Sequence, residues 1–351
     1  MEPRPFDLLM LALLPGLHPR QREQLVARPT LGEVFARPRE HGDLLSPKVQ
    51  EALAGGAVRR AAQAEVRRCE AARVRLVALG DADYPPLLSR ITDPPPMLWV
   101  RGTLPDPARP SVAIVGSRQA TGASLALARA MGRDLARAGV TVVSGLALGI
   151  DGEAHRGALE GRGCTVGVLG TGLGRIYPAA HERLGEQVVA EKGALVSEFP
   201  LQEPAHPWNF PRRNRVIAGW SLGTVVVEAA ARSGALVTAR VALEEGREVM
   251  AVPGHPATPT AEGTNGLIRD GAALVRGAAD VVLELGLEPL PAAAAAGEPL
   301  LEALAGEVPL SLDELQARSG LPVPELLQRL SALELEQRVQ RLPGALFVRG
   351  N

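Results

Sequence analysis

Short apolar runs alternate with amphipathic stretches through the middle of the chain, and this alternation predicts strands and helices in turn. The predicted strands cover residues 111–115, 140–143, 164–169, 194–197, 224–227 and 248–252. Residues 124–138 between the first two carry apolar side chains at helical spacing, and Gly139 follows as the helix-terminating glycine. Strands that are apolar at every position are typical of a parallel sheet covered on both faces. The predicted class is therefore α/β, a Rossmann-like, doubly wound parallel sheet.

Breaks in composition divide the chain. The first 60 residues are leucine-rich and interrupted by prolines, residues 101–110 form a proline-rich joint, and residues 286–299 are low in complexity. We expect a helical domain over 1–60, a connecting extension over 61–110, the Rossmann-like domain over 111–285, a linker over 286–298 and a last small domain over 299–351.

Small residues follow four of the predicted strands. They are Gly116, Ser117, Arg118 and Gly122 after the first; Ser144, Gly145 and Gly149 after the second; Gly170 and Gly172 after the third; and Ser233, Gly234 and Thr238 after the fifth. Any one of these loops is explained by a short turn. All four meet at the carboxyl edge of a parallel sheet, and together they favour an anion-binding cleft. The spacing matches neither GxGxxG nor GxxxxGK[ST], so a dinucleotide fingerprint and a nucleotide-hydrolysing P-loop are excluded.

Three arginines, Arg212, Arg213 and Arg215, surround Asn214 at the start of the helix that leads into the fifth strand. Cations at a helix N-terminus oppose its dipole, at a cost of up to roughly 1 kcal/mol each. A carboxylate such as Glu228 or a bound phosphate would offset that cost. We expect one arginine to be structural and at least one other to face a ligand.

Composition limits the possible partners. The chain of 351 residues carries 38 Lys plus Arg against 39 Asp plus Glu, a net charge of -1, which excludes a uniformly basic coat for nucleic acid. Five Phe, three Trp and two Tyr do not favour extended base-stacking platforms. Two cysteines and six scattered histidines predict no disulfide framework and no metal site. The apolar run at 8–14 is too short to cross a bilayer, and we expect a cytoplasmic protein that has no membrane or signal segment.

Asp151 and His155 could suggest acid–base chemistry. We expect Asp151 instead to cap the helix that follows the second strand. No Ser–His–Asp or paired-carboxylate arrangement is visible in the sequence, so catalysis is not favoured.

A series of motifs resembles the DNA-processing protein A family, also called DprA or Smf. In order they are IVGSR (114–118), VVSGLALGID (142–151), GTGLGRIYP (170–178), SEFP (197–200), FPRRNRVIAG (210–219) and VVVEAAARSGALVTA (225–239). The resemblance runs from about residue 81 to residue 280. Residues 6–55 resemble the family's helical N-terminal domain, of the helix-hairpin-helix or SAM-like type, and residues 299–349 resemble its C-terminal winged helix, with helices at 311–315 and 323–335 and a β-wing at 338–348.

The resemblance implies a function. Members bind single-stranded DNA as homodimers, load RecA onto incoming DNA during natural transformation and displace single-strand-binding protein, with no catalytic activity or cofactor. Carried over to this chain, the DNA-binding residues are Gly116, Ser117, Arg118, Gly122, Ser144, Gly145, Gly149, Gly170, Gly172, Arg175, Tyr177, Phe210, Arg212, Arg213, Asn214, Arg215, Ser233, Gly234 and Thr238. The dimer face maps to Asn265, Ile268 and Leu274.

The chain departs from the family in one place. Members often carry a lysine after the Tyr-Pro pair, where this chain has Ala179, and some carry a lysine where it has Leu148. Either Arg175 or Arg183 substitutes for it, or affinity in the cleft is lower.

Two other functions compete. Residues 221–228 are close to the PGGxGTxxE motif of nucleotide phosphoribohydrolases of similar fold, but they lack PGG and have one residue more between Thr and Glu. A pure protein adaptor is the other alternative. Residues 286–351 hold five cations against nine anions, so we expect the last domain to bind protein or regulate the dimer rather than bind DNA.

Overall fold

The computed structural model describes residues 5–28, 30–287, 299–304, 309–335, 338–342 and 344–349. The chain divides into two compact units between residues 289 and 290. Most of the predicted linker, from residue 288 to residue 298, lies outside the described residues.

A sheet dominates the first unit, with nine strands among the described residues. They are β1 (Arg75–Ala78), β2 (Met97–Gly102), β3 (Ser111–Val115), β4 (Thr141–Ser144), β5 (Thr165–Leu169), β6 (Ala194–Ser197), β7 (Gly223–Val226), β8 (Glu248–Ala251) and β9 (Ala273–Leu274). Their order is β1-β2-β6-β5-β4-β3-β7-β8-β9, parallel from β6 to β9. All six strands predicted from the sequence are present within one residue at each end, and the doubly wound class is confirmed.

Twelve α-helices of the first unit lie within the described residues. They are α1 (Pro5–Ala12), α2 (Pro19–Val26), α3 (Leu31–Ala36), α4 (Pro47–Ala54), α5 (Ala57–Ala71), α6 (Gly122–Arg137), α7 (Ile150–Glu160), α8 (Glu182–Ala190), α9 (Asn209–Trp220), α10 (Gly234–Glu244), α11 (Glu262–Arg269) and α12 (Ala278–Glu284). Proline opens α2 and α4, where its missing N–H leaves no bond unmade. The proline-broken start of the chain is thus a set of short helices, as predicted.

Successive side chains of β2 and β6 lie in two different hydrophobic cores, one on each face of the sheet. Trp99 and Leu195 pack with α8 and the N-terminal helices on one face of the sheet. Val100 and Val196 pack with α9 and α10 on the other. Because successive side chains of a strand point to opposite faces, the apolar runs cover both faces at once.

Residues 61–110, expected to be a connecting extension, carry structure of their own. They contribute most of α5 and both antiparallel strands, β1 and β2, of which β2 pairs with β6. The buried Glu65 of α5 accepts hydrogen bonds from Trp99 Nε1 at 2.8 Å and from the Leu201 amide at 2.6 Å. One carboxylate therefore joins the helical start of the chain to the sheet and to the loop after β6.

The second unit contains three helices and a small sheet among its described residues. These elements are α13 (Pro299–Ala303), β10 (Leu310–Ser311), α14 (Leu312–Ser319), α15 (Val323–Leu335), β11 (Val339–Leu342) and β12 (Leu346–Arg349). The sheet order is β10-β12-β11, and Ser311 and Glu314 form a capping box at the start of α14. The helical spacing of Leu315, Leu326, Leu327, Leu330 and Leu333 predicts that all five are core residues. Four of them are buried in the core of this unit, but the prediction was wrong for Leu327, which is exposed on the outer face of α15. The predicted winged helix is confirmed.

Candidate nucleic-acid interface

The strand order fixes where a ligand can enter the sheet. Successive strands are added on one side of β3 from β4 to β6 and on its other side from β7 to β9. The chain therefore reverses direction across the sheet between β3 and β7, and open α/β sheets bind ligands at the carboxyl ends of the strands at that point. A groove of about 1000 Å³ opens there, lined by residues 115–119 at the end of β3 and, after β7, by Ala230, residues 232–235, Val237 and Thr238. We call it the switch-point groove.

The loop after β3 forms one side of the groove. The Ser117 amide donates to the Glu228 carbonyl at 2.7 Å, and the Ser117 carbonyl accepts from the Ile150 amide at 3.2 Å. Gly149 has a φ of +78°, and a side chain there would collide with the Ser117 carbonyl and the Arg118 backbone. The loop is consequently held between β7 and the start of α7, and the exposed Arg118 side chain projects from a fixed base.

Two aromatic side chains form a wall beside Arg118. The guanidinium of Arg118 lies 5.7 Å from the centre of the Phe210 ring, which is the geometry of a cation–π contact. The rings of Phe210 and Tyr177 lie 5.6 Å apart with 43° between their planes. These residues, with Gly145 and Gly170, also surround a smaller pocket of about 60 Å³. Flat apolar faces beside an exposed cation suit a chain of bases and phosphates.

Two buried residues of opposite charge, Arg213 and Asp151, form the floor of the groove. Arg213 is 5% exposed and donates through Nη1 to the carbonyls of Gly145, at 2.9 Å, and Val168. The Asp151 carboxylate accepts from the Gly145 amide at 3.0 Å. Burial lowers the pKa of Arg213 to about 10, while Asp151 opposes that shift. Burial also raises the pKa of Asp151, against the charge of Arg213. Arg213 supports the groove from beneath, which is the structural role expected of one arginine.

Arg212 and Arg215 point to a different set of partners. Both guanidinium groups hold Glu198 Oε2, at 2.9 Å and 2.6 Å. Arg215 also lies 3.6 Å from Asp93, which pairs with Arg22 of α2 at 2.9 Å. Neither Arg212 nor Arg215 lines the switch-point groove. The carboxylate that offsets the charge of this segment is therefore Glu198, not Glu228 as proposed from the sequence.

The other residues predicted for the site fall into two groups. Those that line the switch-point groove or the smaller pocket are Gly116, Ser117, Gly145, Gly170, Tyr177, Phe210, Asn214, Ser233, Gly234 and Thr238. Ser144, Gly172, Arg175, Gly122 and Gly149 line neither cavity. The buried Ser144 hydroxyl donates to the Ile114 carbonyl at 2.6 Å, and the Gly172 amide donates to the Glu203 carbonyl at 2.9 Å. These two bonds secure loops around the groove.

Several groove residues escaped the sequence prediction. Among the described residues that line the groove, Arg118 and Arg232 are its exposed cations. Arg232 stands next to Ser233 in the motif AARSGA, so its place in a strand-end loop was the signal that could have found it. Gln119 and Val237 also line the groove, and no chemical pattern marked them in advance. Leu148, where some family members carry a lysine, lines it as well.

The Glu228 side chain is engaged at the start of α6. Its carboxylate accepts from the Thr121 amide at 3.1 Å and from the Thr121 hydroxyl at 2.7 Å. Burial raises the pKa of Glu228, but hydrogen bonds from Ser124 and Thr121 outweigh it and lower the pKa. Glu228, which ends the segment similar to the phosphoribohydrolase motif, is thus hydrogen-bonded to Thr121, the N-cap of α6.

The candidate acid–base pair is divided between two environments. His155 is fully buried, and its Nδ1 lies 2.7 Å from the Thr165 hydroxyl, which donates to the Val142 carbonyl. Burial lowers the pKa of His155 to about 3, so the imidazole is a neutral core group. The prediction that Asp151 caps α7 was wrong, because Gly149 occupies the N-cap and Asp151 lies within the first turn.

The residues predicted for the dimer face lie in one segment of the chain. Asn265 and the half-buried Ile268 belong to α11, and Leu274 of β9 is 49% exposed. The Asn265 amide group both donates to and accepts from the Gly254 backbone, at 3.0 and 3.1 Å. Its side chain is therefore committed to a loop, whereas Leu274 presents an apolar surface.

Among the residues that the structure describes, no group of three or more His, Cys, Asp or Glu is arranged to hold a metal ion. Within those same residues, no helix is both long and apolar enough to cross a membrane.

Two family models match the chain. One, described as DNA recombination-mediator protein A, matches residues 75–286, and one described as DprA winged helix domain matches residues 287–345. Protein Smf of Escherichia coli is 44% identical over 275 residues, which are 74% of this chain and 74% of that protein. DNA processing protein DprA of Bacillus subtilis is 38% identical over 214 residues, 60% of this chain and 71% of that protein.

Two solved structures are similar as well. The X-ray structure of DNA processing protein A from Streptococcus pneumoniae gives a TM-score of 0.69 at 32% identity and covers 81% of this chain and 99% of that one. A structure of DNA processing protein A from Helicobacter pylori, described for its single-stranded DNA binding mode, gives a TM-score of 0.53 at 27% identity and covers 60% of this chain and 95% of that one.

Proposed function

Because the chain belongs to the DNA recombination-mediator protein A family, also called DprA or Smf, we propose that it binds single-stranded DNA along the switch-point groove. The observation that carries this proposal is the arrangement of the groove itself. Exposed Arg118 and Arg232 line it, and Phe210 and Tyr177 add aromatic faces beside Arg118. The single-stranded DNA binding described for the Helicobacter pylori relative supports the same conclusion.

The protein acts by binding rather than by catalysis. Asp151, which lines the groove, is engaged by the Gly145 amide, and Glu228 is engaged by Thr121. Incubation with a nucleoside monophosphate tests this statement, since release of free base would identify a phosphoribohydrolase. A titration that shows no DNA binding at all would instead favour a protein adaptor.

We propose for this chain the cellular role that its resemblance to the family implies. A homodimer, formed through the segment that holds Ile268 and Leu274, places two grooves on one strand. In the cytoplasm it protects incoming DNA during natural transformation, displaces single-strand-binding protein and loads RecA. A comparison of single-stranded with double-stranded DNA in a gel shift tests the central step, and preference for the duplex would contradict it.

We expect Arg118→Ala to weaken single-strand binding equally for all sequences. Contacts with phosphate carry little sequence information, and loss of one cation should make the slope of log affinity against log salt shallower by roughly 0.7. Anisotropy titrations with a labelled oligonucleotide over a range of salt concentrations measure both effects.

Arg137→Ala is the matched control for Arg118→Ala. Arg137 is exposed at the far end of α6, away from the carboxyl edge of the sheet. Its loss should leave the salt slope unchanged.

Arg175→Ala tests whether Arg175, also exposed, replaces the lysine that the family often carries. An unchanged slope in folded Arg118→Ala would contradict the proposed path of the DNA.

We expect removal of the second unit to cost less than about tenfold in single-strand affinity, roughly 1.4 kcal/mol. Residues 286–351 carry five cations against nine anions, a balance that repels phosphate. A chain that ends at Leu287 retains the hydrogen bond from its amide to the Val282 carbonyl at the end of α12. The same anisotropy assay measures the change, and a larger loss with an intact dimer would mean that the winged helix contacts DNA.

A further inference from the structure

One tryptophan of the chain lies on the surface. Trp99 and Trp220 are buried, whereas Trp208 is 66% exposed. Tryptophan carries the largest apolar surface of any side chain, and such exposure is informative when it adjoins a binding surface. Trp208 stands directly before Asn209, the first residue of α9.

The indole of Trp208 is stacked on an imidazole. The ring centres of Trp208 and His206 lie 4.4 Å apart, and their planes are within 9° of parallel. His206 covers one face of the indole, so the large exposed area belongs to its other face and its edges. The pair offers a flat ring to a second planar group, which is how proteins hold unpaired bases.

The loop that carries the pair is fixed by its own hydrogen bonds. The Asn209 amide donates to the His206 carbonyl at 3.0 Å. The buried Asn209 side chain donates to Glu203 Oε1 at 3.3 Å and to the Pro204 carbonyl at 3.4 Å. The ring stack is therefore positioned before any ligand arrives, and little conformational entropy is lost on binding.

The stack also adjoins the switch-point groove. Pro207, between the two stacked residues, lines that groove, and so does Phe210, two residues after Trp208. Phe210 is the ring that makes the cation–π contact with Arg118. Pro207 thus joins the ring stack to the lining of the groove, and a strand that leaves the groove over Pro207 can reach the indole of Trp208.

We propose that Trp208, stacked on His206, is a separate subsite that holds one unpaired base at the end of the switch-point groove. The inference rests on the proposed binding of single-stranded DNA and extends the path of the strand by one stacking position. We infer that the ligand of this subsite is a base, because the exposed surface of Trp208 is a single flat ring next to the groove. It is a platform for one base, in keeping with the low aromatic content of the chain.

The test combines anisotropy of a labelled long oligothymidylate with tryptophan fluorescence of the full chain. We expect the oligonucleotide to quench the wild-type fluorescence, because Trp99 and Trp220 are buried and Trp208 is accessible. Trp208→Ala should abolish the quenching and weaken binding about 5-fold to 150-fold, which corresponds to roughly 1–3 kcal/mol for one stacked base. The salt slope should not change, because no phosphate contact is lost.

Two controls separate stacking from other effects. Trp208→Phe retains a ring and should recover much of the affinity. Leu283→Ala removes another exposed apolar side chain, from α12, and should have no effect. With an oligonucleotide of abasic sites, Trp208→Ala and the wild type should bind alike. Normal binding by Trp208→Ala, together with unquenched wild-type fluorescence, would overturn the platform and leave the proposed function standing. Failure of the wild type to bind any single strand would overturn both.

Discussion

Arg213→Met should reduce the free energy of unfolding by about 3–5 kcal/mol, the usual cost of removing one member of a buried charged pair. Arg213 is 5% exposed, and its Nη1 donates to the carbonyls of Gly145 and Val168. Its removal takes a hydrogen-bond donor from those carbonyls and leaves Asp151 without the charge that opposes its desolvation. Urea denaturation measures the loss.

The loss should depend on pH in a defined direction. Burial already raises the pKa of Asp151, and removal of Arg213 raises that pKa further. A carboxyl group whose pKa is higher in the folded than in the unfolded state destabilises the fold when it is ionised. This penalty is complete above the folded-state pKa and disappears as the pH falls below the unfolded-state pKa. The deficit of Arg213→Met should therefore shrink on acidification.

Arg212→Met provides the matched control for Arg213→Met. The Arg212 side chain is 42% exposed and shares Glu198 with Arg215, so its loss should cost about 1 kcal/mol or less. Adding Asp151→Asn to Arg213→Met should recover part of the stability at neutral pH. Equal losses for the two arginine variants, or a deficit independent of pH, would show that the floor of the groove is not held by this pair.

The contrast among these arginines shows what the sequence could predict. On a helix, residues three apart share a face, so Arg212 and Arg215 had to point together and Arg213 elsewhere. The spacing of the arginines therefore predicts their directions. It does not predict their partners, because Glu198 follows β6 and Gly145 follows β4, and the order of the strands in the sheet brings both residues to α9. Charge alone could not tell a buried support from a phosphate contact.

The strands differ in a similar way. β3 to β7 are buried at every position in a parallel sheet, β8 is buried in its second half, and their largely apolar character identifies them. β1 is a four-residue edge strand that begins with an exposed arginine, and β2 follows a run of three prolines. β1 pairs with β2, and β2 pairs antiparallel with β6, which joins segments far apart in the chain. No local sequence pattern predicts strands of this kind, so residues 61–110 were expected to be a connecting segment.

Ile268→Glu combined with Leu274→Glu should give monomers, with a loss of about 10²-fold to 10⁴-fold in affinity for long oligonucleotides. The switch-point groove has few exposed cations, so tight binding requires two grooves on one strand, and a linked second site contributes by effective concentration in this range. Leu274 is 49% exposed on β9, which pairs with β8 and is last in the sheet order of the described residues. A carboxylate at each position would place like charges across a twofold contact. Light scattering measures the mass, and anisotropy measures the affinity.

Oligonucleotide length separates loss of the dimer from damage to the groove. A strand that fills one groove should bind the double variant as it binds the wild type, because the residues of the groove are untouched. Leu283→Glu, which adds a charge at an exposed leucine of α12, should leave both mass and affinity unchanged. A double variant that remains dimeric would refute the assignment of this face. A monomer that still holds long strands tightly would show that one groove suffices, and the avidity argument would then fail.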